Sequence, residues 1–158
     1  MTEPELFHIA LSKAMALCSR REYCIEDIRT RLISWKVGVK DIEKILKNLT
    51  DEKFIDEKRY SMAYTRDKFK YNKWGKVKIA AHLKEKKITS DKISSALDSI
   101  DNEIYIKTIK DLIKSHRKIV KSRSRYEMKG KLMRFGLSKG FESNLLYDII
   151  NDIDREGN

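Results

Sequence analysis

Apolar residues recur along this chain at the spacing of one helix face. Phe7, Ala10, Leu11, Ala14, Met15 and Cys18 stand three or four apart, as on a buried helical stripe. Ile28 and Leu32 follow, then Ile42, Ile45, Leu46 and Leu49. The same order returns as Ile79 and Leu83, then Ile93, Ala96, Leu97 and Ile100. It returns once more as Met128 and Leu132, then Leu145, Leu146 and Ile149. The first recurrence is offset by 51 residues and the second by 49. A period near fifty is that of a repeated helical unit.

Helix-start residues keep the same offsets. Cys24, Gly75 and Ser124 precede the middle helix of each unit, and Gly38, Thr89 and Ser138 precede the last. Ser124-Arg125-Tyr126-Glu127 reads as a capping box, in which Ser and Glu reciprocally satisfy free amides. Each unit also opens with a long helix. In the second, Asp56 is placed to cap and Tyr60, Ala63 and Tyr64 continue the stripe; in the third, Ile109, Leu112, Ile113 and His116 do so. One Pro and six Gly leave few breakers, and no Asn-Gly or Asp-Gly marks a hairpin. The expected fold is all-α: nine helices in an elongated, curved array of three tandem three-helix repeats. The expected bounds are 1–50, 51–100 and 101–158.

The formal charge of +11, from 35 Lys and Arg against 24 Asp and Glu, points to a polyanionic partner. The surplus is concentrated. Residues 66–87 hold Arg66, Lys68, Lys70, Lys73, Lys76, Lys78, Lys84, Lys86 and Lys87 against Asp67 and Glu85. Residues 114–139 hold Lys114, Arg117, Lys118, Lys121, Arg123, Arg125, Lys129, Lys131, Arg134 and Lys139 against Glu127 alone. A solvated face ordinarily mixes signs, so these runs are the candidate contacts with phosphate or an acidic protein groove. The rings of Phe69, Tyr71 and Trp74 lie in the first run, at the close of one helix and the corner before the next. That placement makes them packing residues rather than a row for stacking on bases.

The remaining chemistry is sparse. Cys18 and Cys24 match no metal or redox spacing and read as free thiols of a reducing, cytoplasmic compartment. Neither a signal peptide nor a membrane span is visible, so no membrane partner is expected, and the protein is expected to be a monomer. His8, His82 and His116 are scattered, one to a unit, without ligands at metal spacing. Ser115-His116-Arg117-Lys118 contains Ser-x-x-Lys but none of its supporting motifs. Trp74-Gly75-Lys76 is no phosphate loop. No enzyme activity, cofactor or metal is expected.

Within Asp51–Ile88, the run Phe54-Ile55-Asp56-Glu57-Lys58-Arg59-Tyr60, then Ala63, Arg66, Gly75, Ile79 and Leu83, resembles the RecX family of recombination regulators. Leu11, Tyr23, Ile28 and Leu32 match its first unit more loosely. The resemblance implies tandem three-helix repeats that bind the RecA recombinase filament on single-stranded DNA and modulate it, usually by inhibition, without catalysis. The DNA contact would be direct or through the filament. The motif residues Asp56, Arg59, Tyr60, Gly75, Ile79 and Leu83 read as structural: Asp56 as a cap, Arg59 as the partner of Asp56 or Asp51, the others as packing. The cations of the two runs carry the binding. Two departures stand out. Lys53 replaces a family glycine, and Lys36 and Lys87 stand where a left-handed glycine would end the middle helix, a place that Gly136 keeps in the third unit. A lysine in that conformation costs on the order of 1 kcal/mol. The alternative reading is a helical module that binds DNA or RNA without sequence preference and without a recombinase.

Overall fold

The computed structural model describes residues 2–157. Among them are nine α-helices and no strand: α1 (Glu3–Arg20), α2 (Ile25–Ser34), α3 (Val39–Asp51), α4 (Glu57–Asn72), α5 (Lys76–Glu85), α6 (Ser90–Asp98), α7 (Asn102–Ile119), α8 (Arg125–Ser138) and α9 (Ser143–Glu156). The chain divides into two compact units. One is Met1–Tyr64 with Leu83–Ile93, the other Thr65–His82 with Ser94–Asn158, so α4, α5 and α6 contribute to both.

In the first unit, α1 begins at a capping box. The Glu5 amide donates to Thr2 Oγ1 at 3.3 Å, and the Thr2 amide donates to the Glu5 carboxylate at 3.4 Å. The stripes expected from the sequence meet here. Ala10, Ala14 and Cys18 of α1, Ile28 and Leu32 of α2, and Ile42, Ile45, Leu46 and Leu49 of α3 form one buried cluster with Ile55. Burying each large aliphatic contributes about 1.5–3 kcal/mol.

In the second unit, Tyr105, Ile109 and Ile113 of α7, Leu132 of α8, and Leu146, Ile149, Ile150 and Ile153 of α9 bury against one another, with Phe141 closing the α8–α9 turn. The third set of helices departs from the register read in the sequence. Ser138 ends α8 instead of capping α9, which starts at Ser143 after Glu142. The reason is length: α8 has 14 residues where α2 and α5 have 10. One added helical turn keeps the apolar stripe in phase while shifting everything after it by four. Leu146, Ile149, Ile150 and Ile153 thus take the places that Ile42, Ile45, Leu46 and Leu49 hold in α3, and Leu145 is only half-buried.

The same shift relocates the left-handed turn. Lys36, Lys87 and Gly140 have φ of 65°, 60° and 89°. After each, an apolar residue donates its amide five residues back: Val37 to Leu32, Ile88 to Leu83, and Phe141 to Gly136, at 3.1–3.2 Å. This is the Schellman helix stop, made three times. Gly136 is therefore inside α8, where a Cβ would lie 2.4 Å from a Leu146 methyl; its smallness lets α9 approach. Lys53 and Lys73 are left-handed too, with φ of 65° and 56°.

Gly75 has a different cause. Its amide donates to the Lys139 carbonyl at 2.7 Å and the Val77 amide to the Gly140 carbonyl at 3.0 Å. A Cβ on Gly75 would sit 2.3 Å from that Gly140 oxygen. Two backbone corners of the second unit meet there without room for a side chain.

Candidate polyanion-binding surfaces

The motif residues near the start of α4 are held by local chemistry. Asp56 Oδ1 accepts the amides of Lys58 and Arg59 at 3.0 Å each, the N-cap expected of it. Those amide bonds, led by that of Arg59, hold its carboxyl below the usual carboxylate range against the effect of burial. Arg59 does not turn to Asp51. Its Nε donates to Glu22 Oε1 at 2.8 Å, Asp56 stands 3.9 Å off, and Nη2 donates to the carbonyls of Lys53 and Phe54. Arg59 thus ties α4 to the residues just after α1, a partner 37 residues away that no local spacing could reveal. Tyr60, Gly75, Ile79 and Leu83 are all buried.

The first cationic run does not stay in one unit. Lys84, Lys86 and Lys87 belong to the first, and two of them are engaged there: Lys86 with Asp27 at 2.6 Å and Lys87 with Glu26 at 3.7 Å. Lys84 is exposed and has no ion pair with a described residue. Arg66 to Lys78 belong to the second unit, where they surround the α4–α5 corner. The Lys68 and Lys78 ammonium groups lie 4.8 and 4.6 Å from the Trp74 ring, and His82 packs on it at 4.6 Å between centroids. Lys76 lies 4.9 Å from the ring of Tyr105, and Arg66 pairs with Asp67 at 3.3 Å. Lys139 donates to the Asn72 carbonyl at the end of α4, while Lys70 and Lys73 are exposed. Phe69 packs on the core beside Tyr105 as expected. Tyr71 does not: it is 71% exposed, with Lys70 5.3 Å from its ring. Two residues from Phe69 on a helix, it faces the opposite way, to solvent.

The second run sorts into engaged and unengaged cations. Arg125 and Lys129 reach Asp154 at 2.7 and 3.4 Å, and the Arg125 contact holds that carboxyl below the ordinary range. Lys131 pairs with Glu127 at 2.9 Å. Arg117 donates to the Ile153 carbonyl at 3.2 Å and so closes the end of α9. Lys118, Lys121, Arg123 and Arg134 are exposed and make no ion pair with a described residue. The acidic tail noted in the sequence therefore neutralises part of the run, while these four cations and Lys114 stay exposed without an ion pair to a described residue.

Buried groups offer no rival chemistry. Burial pushes the Cys18 thiol up to about 11 and that of Cys24 to about 12, so both are protonated and unreactive at neutral pH. Burial and the hydrogen bond to Glu142 raise the Tyr105 phenol, whose oxygen also accepts the Lys76 amide at 3.0 Å; it braces three segments of the second unit. Among the described residues, no cluster of His, Cys, Asp and Glu could hold a metal, and no helix is long and apolar enough to cross a membrane.

A family model for the second three-helix domain of RecX matches residues 56–97. The regulatory protein RecX of Clostridium acetobutylicum is 28% identical over 160 residues, covering 99% of this chain and 74% of that protein. That of Clostridium botulinum (strain Eklund 17B / Type B) is 34% identical over 119 residues, 73% of this chain and 52% of that protein. The chain thus spans about three quarters of one relative and about half of the other. Two solved structures share the fold. A regulatory protein RecX superposes with a TM-score of 0.85 over 95% of this chain and 73% of its own, at 24% identity. RecX from Lactobacillus salivarius superposes with a TM-score of 0.84 over 96% of this chain and 98% of its own, at 20% identity.

Proposed function

The chain belongs to the RecX family, and we propose that it is a regulatory protein of the RecA recombinase. It binds the RecA filament on single-stranded DNA, in the cytoplasm, and inhibits ATP turnover and strand exchange by occupancy. It works as three tandem units, 1–50, 51–100 and 101–158, that present cations to the filament. One observation carries this reading beyond the family name. Lys118, Lys121, Arg123 and Arg134 make no ion pair with a described residue, whereas their neighbours Arg125, Lys129 and Lys131 are paired. Unpaired charge gathered in one short segment serves a partner of opposite sign.

The test adds the purified protein to RecA, single-stranded DNA and ATP and follows ATP hydrolysis. A dose-dependent fall in rate supports the reading. Tight, salt-sensitive DNA binding with no change in hydrolysis would move the protein to the class of helical nucleic-acid modules that act without a recombinase.

A further inference from the structure

Helices α8 and α9 enclose a groove of about 670 Å³ inside the second unit. Tyr126, Gly130 and Arg134, four residues apart on α8, line it with Met133 of the same helix; Tyr147 and Ile150 line it from α9. Two features of this groove have no use within the chain. First, Tyr126 is 89% exposed and Tyr147 64% exposed, two large rings left in water. Second, Gly130 lies inside a helix, where glycine weakens the helix relative to alanine. Nothing in the fold requires it. Its φ is not positive, and a Cβ there would meet only Arg134 Nη1, at an unstrained 3.6 Å. Gly75 and Gly136, by contrast, are forced by neighbours at 2.3 and 2.4 Å. The missing side chain leaves a notch between an exposed tyrosine and an unpaired arginine.

The charge around the notch is positive. Glu127, the carboxylate on the groove, is taken by Lys131 at 2.9 Å, while Arg134 and the adjoining Lys121 and Arg123 make no ion pair with a described residue. We propose that the groove seats a base of single-stranded nucleic acid, stacked on Tyr126 over Gly130, with the flanking phosphates on Arg134 and Arg123. This rests on the regulatory reading above and adds a direct contact with the strand. Base stacking on an aromatic beside a cationic track is the general mode of sequence-tolerant single-strand binding. A partner helix would want an unbroken apolar strip, and this lining is interrupted by Lys129, Arg134 and Asn151.

The experiment measures the affinity of the full chain for a labelled oligothymidylate and for a duplex of equal length, by fluorescence anisotropy. Tyr126→Ala should weaken single-strand binding roughly tenfold, within the range for removal of one stack, and affect the duplex less; Tyr126→Phe should retain it. Gly130→Leu should keep or raise the melting temperature, because it adds a helix-favouring side chain whose Cβ meets only Arg134 Nη1 at ordinary contact distance, yet also weaken single-strand binding. Unchanged single-strand affinity in both Tyr126→Ala and Gly130→Leu, or no binding by the unaltered protein, overturns the proposal. If those variants instead lose inhibition of RecA at unchanged oligonucleotide affinity, the groove docks protein. The base-seating inference then falls while the regulatory reading stands. If the predicted losses occur but the unaltered protein leaves RecA unaffected, the base contact stands and the regulatory reading falls.

Discussion

The Lys86 ammonium lies 2.6 Å from Asp27 Oδ1, and the other Asp27 oxygen accepts the Cys24 amide at 3.4 Å at the start of α2. Burial raises the Asp27 pKa, but the Lys86 and Cys24 contacts outweigh it and leave the carboxyl below its ordinary value. The folded state therefore releases this proton more readily than the unfolded chain. The resulting stabilisation is complete above the ordinary carboxylate range and is lost as pH falls through the depressed folded pKa. Lys86→Met should destabilise by about 1 kcal/mol at neutral pH, a modest figure because the lysine is partly solvated. It should also flatten the acid limb of the stability curve. Urea midpoints of both proteins, taken at neutral pH and through the acid range, check both effects; parallel acid limbs would contradict the linkage.

Left-handed lysines make a second prediction. At Lys36 and Lys87 the chain holds a β-carbon at φ of 65° and 60°, a conformation that glycine adopts freely. Glycine also loses more entropy on folding, so Lys36→Gly or Lys87→Gly should stabilise by about 0.5–1 kcal/mol net. Gly140→Ala should do the reverse, by more than about 2 kcal/mol. There φ is 89° and the new Cβ would fall 2.2 Å from Lys78 Cβ. Thermal melts of the three variants decide the signs.

These turns also show how far the sequence could be read. The apolar intervals and cap types imply nine helices and most of the core of α1 to α3, because those patterns are local. The slip of four residues in α8 is invisible to them, since one extra helical turn leaves the hydrophobic phase unchanged. It displaces the α9 cap and moves the left-handed glycine from Gly136 to Gly140. Tyr105 and Phe141 stand outside the expected stripes, although both are buried. Phe141 is isolated in a turn. Tyr105 has a signal of its own, since Asp101-x-x-x-Tyr105 repeats Asp56-x-x-x-Tyr60. Partners such as Glu22 for Arg59 and Asp154 for Arg125 depend on tertiary approach. The charge pattern therefore reveals both cationic runs without distinguishing the members that the fold already neutralises.

Thr65 is fully buried in α4, and its hydroxyl has no hydrogen-bond partner among the described residues. A buried hydroxyl without a partner has given up its water with no compensation. Thr65→Val keeps the side-chain outline and removes the polar atom, so it should stabilise by about 1 kcal/mol. Thermal unfolding tests this, and a lower melting temperature would mean that the hydroxyl is satisfied.

The cations of the second run should separate by their internal partners. Replacing Lys118, Lys121, Arg123 and Arg134 together by Gln removes four charges that no carboxylate of the described chain holds. Helical content should survive, because these side chains are exposed and make no ion pair with a described residue. Single-stranded DNA affinity should drop, and its logarithmic salt slope should shrink by about 0.7 for each phosphate no longer neutralised, roughly three if all four touch phosphate. Arg125→Gln with Lys129→Gln removes the partners of Asp154 and should act differently, lowering thermal stability and shifting acid sensitivity with less change in salt slope. Binding isotherms across a salt series, run beside circular dichroism melts, distinguish the two sets. Equal slopes for the fourfold variant and the unaltered protein would remove these four residues from the binding surface, whichever partner the protein regulates.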